Sequence, residues 1–220
     1  MKLVLASGSQ RRRELLTMCG YDYEIIVSNA DETIDENDPE SFVRALSFRK
    51  AKEVFDRLFA AGRRDFAVIG SDTVVAFQKE GETKPVIIGK PKDAKDAVRI
   101  LSMLSGKTHR VFTGVSVIAA ISDENAAAQC SIREKAEIQT ECSITEVTFE
   151  TLSPDEITDY VNSGDPLDKA GSYGIQGPFG MFVREIRGNY FTVIGMPIPV
   201  LYKMLKKIGI LPHGFYERIE

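Results

Sequence analysis

Short apolar runs and segments of helical periodicity alternate from the N-terminus, and this limits the chain to a mixed α/β architecture. Lys2-Leu3-Val4-Leu5-Ala6 reads as a buried strand. From Gln10 the pattern turns helical, with Leu15, Leu16 and Met18 apolar and Gly20 as the stop. Residues 23–28 form the next strand. Asp38-Pro39 opens a long helix reaching about Ala60, because Asp is a good N-cap and Pro suits the first helical position. Residues 66–78 are an apolar strand region, 85–88 a shorter strand, and 93–104 a helix with Val98, Leu101 and Leu104 on one face. Residues 111–121 and 131–149 read as long strands, with a polar, alanine-rich stretch at 122–129 between them as a loop or hairpin end. Ser153 caps a helix to about Asn162. Residues 182–186 and 190–194 are expected to pair across an Arg187-Gly188-Asn189 hairpin turn, before a last helix from Pro197 to about Ile208. The chain is most simply one domain, residues 1–211, with a tail at 212–220.

Ser7-Gly8-Ser9-Gln10-Arg11-Arg12-Arg13 sets three cations in a first helical turn, with Ser9 as the N-cap. The helix dipole is positive there, and the guanidinium groups repel one another. A bound polyanion reverses the sign, since free N–H groups, dipole and arginines would all face one phosphate chain; the other reading is a solvated basic helix end. The net charge of −4, from 28 Lys+Arg against 32 Asp+Glu, argues for a local anion site and against a nucleic-acid face. Cys19, Cys130 and Cys142 are an odd count without metal-ligand spacing, as expected of reduced thiols in a cytoplasmic protein. No apolar stretch is long enough to span a membrane.

Asp72 interrupts the apolar run Phe66-Ala67-Val68-Ile69-Gly70-Ser71-Asp72-Thr73-Val74-Val75-Ala76-Phe77. Burying it unpaired would cost several kcal/mol, so it needs a cation, a metal or a cluster of donors; backbone N–H groups at a bulge would also serve. Lys50 shares a helix face with Leu46, Val54 and Leu58, and either snorkels to water or holds a phosphate. Lys90, in Gly89-Lys90-Pro91, sits in a turn fixed by proline, and Asp31-Glu32 are loop acids able to help hold Mg²⁺. Asp168-Lys169-Ala170-Gly171-Ser172-Tyr173-Gly174-Ile175-Gln176-Gly177 admits close backbone approach, with Tyr173 and Gln176 available to stack on and hydrogen-bond a base. Ser105-Gly106-Lys107-Thr108 lacks the upstream glycine of a P-loop.

In chain order these pieces resemble the Maf family of nucleoside triphosphate pyrophosphatases, from Leu5 to about Leu205. Ser7-Gly8-Ser9-Gln10-Arg11-Arg12 matches its Ser-x-Ser-Pro-Arg-Arg motif with Gln10 in place of proline, and Glu32, Lys50, Asp72, Lys90 and Asp168-Lys169-Ala170-Gly171 fall on further motifs. The segment around 122–135 looks longer than in typical members. Thr73 and the 170–177 stretch look like the branch acting on dTTP and UTP. The resemblance implies an inosine-triphosphatase-like fold: an elongated mixed β-sheet flanked by helices, with two lobes around a cleft. It implies cleavage between the α and β phosphates, with Mg²⁺ or Mn²⁺ and a homodimer. Asp72, Lys50, Lys90 and Arg12 would be catalytic, with Asp72 as base or metal ligand. Ser7, Ser9, Arg11, Arg12, Thr73 and Gln176 would bind substrate, and Glu32 and Asp72 the metal. A nucleotide-binding regulator of septum formation or the cell cycle, with little turnover, is the other function class.

Overall fold

The computed structural model describes residues 1–79, 81–121 and 135–214. Its elements are β1 (Lys2–Leu5), α1 (Gln10–Met18), β2 (Tyr23–Ile25), α2 (Pro39–Ala60), β3 (Phe66–Phe77), β4 (Val86–Ile88) and α3 (Ala94–Leu104). There follow β5 (Thr108–Ile121), β6 (Lys135–Phe149), α4 (Pro154–Asn162), β7 (Val183–Arg187), α5 (Tyr190–Ile194) and α6 (Ile198–Lys207). Short 3-10 turns at Asp165–Asp168, Ala170–Ser172 and Pro178–Phe182 fill the stretch between α4 and β7.

One seven-stranded mixed sheet runs through the molecule in the order β2-β1-β3-β5-β6-β7, with β4 also on β3. β1 is parallel to both β2 and β3, while β4, β5, β6 and β7 join antiparallel. The long strand β3 divides one of its edges between two neighbours. β1 pairs with Phe66 to Ile69 and β4 with Val75 to Phe77. Between them, residues 70–74 have no strand partner on that edge, while the other edge stays paired to β5. The gap opens at the carboxyl end of β1, where α/β sheets place their ligands.

Helix α2 seats directly on the strands because two glycines clear its path. A Cβ at Gly70 would lie 2.2 Å from the Ser47 carbonyl oxygen, and one at Gly114 would lie 2.1 Å from that of Val43. This close approach brings Lys50 down to the sheet. Asp38 caps α2, accepting from the Ser41 N–H at 2.9 Å. On the opposite face Leu16, Leu201 and Leu205 of α1 and α6 bury Leu5, Ile69 and Val117. At the far end, Leu101, Leu104, Phe149 and Phe179 form a second core with α3 and α4.

Residues 190–194 correct the expected hairpin: they form helix α5, not a strand. Asn189 accepts from the Phe191 N–H at 2.8 Å as an N-cap, and Gly195, at φ 110°, closes the helix. The aromatic and β-branched run Tyr-Phe-Thr-Val-Ile favours a strand locally. Contacts of Thr192 with β5 and β6 override that preference. β5 starts at Thr108 instead of Val111, β2 ends at Ile25, and Met18 is exposed. The stretch 122–129, most of the longer segment 122–135, and residues 215–220 of the tail lie outside the described residues. The His213 N–H of the tail donates to the Gly20 carbonyl at 2.8 Å. Among the described residues no helix is long and apolar enough to cross a membrane.

Candidate active site

A cleft of ≈ 1700 Å³ fills the gap beside β3. The β1–α1 loop, the open edge of β3, the turn after β4 and the 165–177 stretch all line it. Strand alternation splits the β3 side chains: Ser71 and Thr73 turn toward the end of α5, and Asp72 turns toward α2.

Arg12 sits in a socket. Its Nε donates to the Gly195 carbonyl at 2.8 Å, one terminal nitrogen to Ser7 Oγ at 3.1 Å, and the other to Thr73 Oγ1 at 3.3 Å. A guanidinium has five N–H donors, so two remain for a ligand. Burial pulls its pKa down, Asp72 pushes it back up, and Arg11 lowers it. Ser7 Oγ also accepts from the Ser9 N–H at 3.2 Å, which leaves the Ser7 hydroxyl hydrogen uncommitted. Ser9 is the N-cap of α1, but its side chain makes no cap bond and no acid stands in the first turn. The first-turn N–H groups therefore lack the usual side-chain partner.

Lys50 is the cation that Asp72 requires. Its Nζ lies 2.7 Å from Asp72 Oδ1 and 3.0 Å from Glu32 Oε1. The Lys50 and Asp72 side chains are each only 12% exposed, against 64% for Glu32. Glu32 and Asp72 thus converge on one nitrogen at the cleft. Their hard carboxylate oxygens suit Mg²⁺ or Mn²⁺, which is commonly held by one or two carboxylates plus substrate phosphates. No cluster of three or more metal-ligating side chains occurs among the described residues, so phosphate oxygens or water would have to complete such a site.

Lys90 is exposed on the cleft, and the turn that carries it is tied down by the Gly171 N–H, which donates to the Gly89 carbonyl at 3.0 Å. Arg11 pairs with Asp168 at 3.1 Å, linking α1 to the 165–177 stretch. Burial raises the Asp168 pKa, but hydrogen bonding and charge from Lys169 and Arg11 outweigh it, and the net shift is downward. Lys169 Nζ is shared by Asp165 and Asp168 at 2.9 and 2.8 Å. Gln176 is exposed on the cleft.

Tyr173 corrects a second expectation: its ring is buried and unavailable for stacking on a base. It packs edge-on against Phe149, with ring centroids 4.8 Å apart, and its hydroxyl meets His109 Nε2 at 3.0 Å. It anchors the stretch that ends in Gln176. Burial drives the His109 pKa down to about 3, so its imidazole is neutral.

Ser7, Ser9, Arg11, Arg12, Glu32, Lys50, Asp72, Thr73, Lys90 and Gln176 all border this one cleft. Arg13 borders it as well but makes none of the socket bonds. The other loop acid, Asp31, does not line the cleft, and its carboxylate accepts from the Thr33 N–H at 2.9 Å. Sequence reasoning missed Gly195 and Thr113, and gave Ser71 no role of its own. Gly195 accepts from both Arg12 and Ser71, and Thr113 lies behind Thr73. Gly195 carried one usable signal, a glycine just ahead of Met196-Pro197 where a chain must turn.

The family model of the Maf-like proteins matches residues 2–208. A dTTP/UTP pyrophosphatase of Agathobacter rectalis is 39% identical over 95% of this chain and 98% of its own length. A protein of the same description from Bacillus thuringiensis is 42% identical over 95% of this chain and 96% of its own. Among solved structures, the Staphylococcus aureus Ham1 protein aligns with 94% of this chain and 100% of its own, at 15% identity and a TM-score of 0.48.

Proposed function

This chain belongs to the Maf-like protein family, and from that premise we propose that it is a nucleoside triphosphate pyrophosphatase acting on dTTP and UTP. The products are the nucleoside monophosphate and pyrophosphate. One observation carries the reading: a preorganised arginine and a buried Lys50–Asp72 pair line the same cleft. A pure anion binder gains nothing from a carboxylate beside a phosphate chain, whereas a hydrolase needs a group to accept the proton of the attacking water.

In this reading the two uncommitted N–H groups of Arg12, the Ser7 hydroxyl and the open N-terminus of α1 hold the triphosphate. Lys50 and Lys90 offset charge developing on the pyrophosphate leaving group, and Lys50 fixes the Asp72 carboxylate through Oδ1. Asp72 either takes the proton from water or serves as a metal ligand. Glu32 and Asp72 would hold Mg²⁺ or Mn²⁺ together with the phosphates, and the ion would supply Lewis-acid polarisation of the phosphoryl oxygens. Gln176, on a stretch anchored by Tyr173, reads the pyrimidine edge, since its amide offers both a donor and an acceptor. The family resemblance also supports a homodimer, the odd cysteine count a cytoplasmic setting, and the net charge of −4 a function apart from nucleic acid.

Phosphorus NMR of UTP incubated with the protein and Mg²⁺ tests the reaction. Uridine monophosphate and pyrophosphate are expected. Uridine diphosphate with orthophosphate would move the cleavage site, and binding without turnover would favour a regulatory nucleotide binder.

A further inference from the structure

Thr73, Thr113 and Ser143 stand in register across β3, β5 and β6, and all three reach hydroxyl or carbonyl partners on the α5 side. Thr113 is fully buried in the middle of the row. A hydroxyl has one hydrogen and two lone pairs, so the directions of these bonds can be worked out. Thr113 Oγ1 donates its hydrogen to the Thr192 carbonyl at 2.7 Å. Its contact with Thr73 Oγ1 at 3.0 Å must then run the other way, with Thr73 as donor. With its hydrogen committed to Thr113, Thr73 turns only lone pairs to its remaining neighbours. Arg12 donates to one of these at 3.3 Å. The sense is fixed along the chain: Arg12 N–H to Thr73, Thr73 O–H to Thr113, Thr113 O–H to the Thr192 carbonyl.

The same carbonyl also accepts the Gly195 N–H at 3.1 Å, and the Gly195 carbonyl accepts Arg12 Nε at 2.8 Å. Thr113 therefore joins both inner supports of the Arg12 socket. One runs through the Thr73 hydroxyl and the other through the end of α5.

We propose that Thr113 is a positioning residue: its hydroxyl sets the polarity of Thr73 and the seat of α5, and so holds the Arg12 guanidinium toward the triphosphate. This rests on the pyrophosphatase reading for its kinetic consequence and on geometry alone for its structural one. Thr113→Val keeps the side-chain shape and removes the hydroxyl; Thr113→Ser keeps the hydroxyl and removes a methyl group. If the hydroxyl positions Arg12, Thr113→Val loses about tenfold or more in kcat/KM for UTP, the scale of a buried hydrogen bond left unmade, while Thr113→Ser stays within about threefold. In an Arg12→Ala background, Thr113→Val should change activity by less than about twofold, because coupled residues lose their effect together. A packing role predicts the reverse order, with Ser worse than Val.

A second readout is independent of turnover. The Arg12 Nε–H proton resonance should be protected from solvent exchange in the wild type and in Thr113→Ser, and exchange faster in Thr113→Val and Thr113→Ala. The Ala variant serves if the Val variant does not fold. Equal activity and protection in the Val and Ser variants, or an undiminished Thr113→Val loss in the Arg12→Ala background, would overturn the proposal. Failure of the wild type to release pyrophosphate would refute only the function, and the exchange rates would still decide the positioning role.

Discussion

Replacing Lys50 by Met should destabilise the fold and abolish turnover together, and a second substitution should separate the two effects. The Lys50 ammonium lies 2.7 Å from Asp72 Oδ1, and both side chains are 12% exposed. Removing one partner of a buried ion pair typically costs about 3–5 kcal/mol, because the remaining charge stays desolvated and unpaired. The open cleft lets water reach Asp72, which places this case at the low end, about 3 kcal/mol. Glu32 adds little, since at 64% exposure its pair with Lys50 belongs to the surface class worth about 0–1 kcal/mol. With a urea m-value at the upper end of the small-protein range, the unfolding midpoint should fall by about 1 M. Adding Asp72→Asn to Lys50→Met removes the stranded charge and should restore about 2 kcal/mol, because a neutral amide is far cheaper to bury than a carboxylate. Activity should not return, since the double variant lacks both the cation and the acid. Urea unfolding followed by circular dichroism, paired with pyrophosphate release, measures both quantities. Equal stability of wild type and Lys50→Met would refute the claim that Lys50 pairs the buried carboxylate. So would a double variant less stable than the single one.

Three further outcomes follow from the same geometry. Asp72→Asn alone should lower kcat by about 10²–10⁴-fold with UTP binding kept or tightened, since it removes the proton acceptor and relieves repulsion with the phosphates; retention of more than about a tenth of wild-type kcat would mean the group is not central. Gln176→Glu should reduce kcat/KM for UTP relative to 7-methyl-GTP by about tenfold, because an ionised carboxylate only accepts; an unchanged ratio would leave Gln176 as a brace for its loop. His109, held neutral with a pKa of about 3, binds fewer protons in the folded than in the unfolded chain below the ordinary histidine pKa of 6.5. Stability should therefore fall as pH drops below 6.5, by about 2 kcal/mol between pH 7 and pH 5 from this group alone. His109→Phe should flatten that part of a denaturation-versus-pH curve.

Several features of the site could be read from the chain because their physics is local. Three arginines in the first turn of α1 conflict with the helix dipole wherever that helix lies, so the order of residues alone narrows that turn to a polyanion site or a solvated basic end. An aspartate within an apolar strand demands a partner in any fold. Asp38-Pro39 and Ser153-Pro154 start helices through bonds that span only a few residues. The sequence by itself thus settled the α/β alternation, most of the elements and the types of residue at the site.

Tertiary structure decided which groups meet. That Asp72 takes Lys50, 22 residues away, depends on Gly70 and Gly114 letting α2 rest on the strands. That Tyr173 turns into the core and leaves Gln176 at the cleft depends on His109 and Phe149 arriving from β5 and β6. Residues 190–194 form a helix against their strand propensity because Asn189 caps them and Thr192 docks on β5 and β6. The Arg12 socket combines Ser7, Thr73 and Gly195, up to 183 positions from the arginine in the chain. Propensity, capping and charge repulsion act over a few residues and are written in the sequence. The partner of a buried charge and the direction of a hydroxyl hydrogen are set by neighbours in space, which exist only once the sheet has formed.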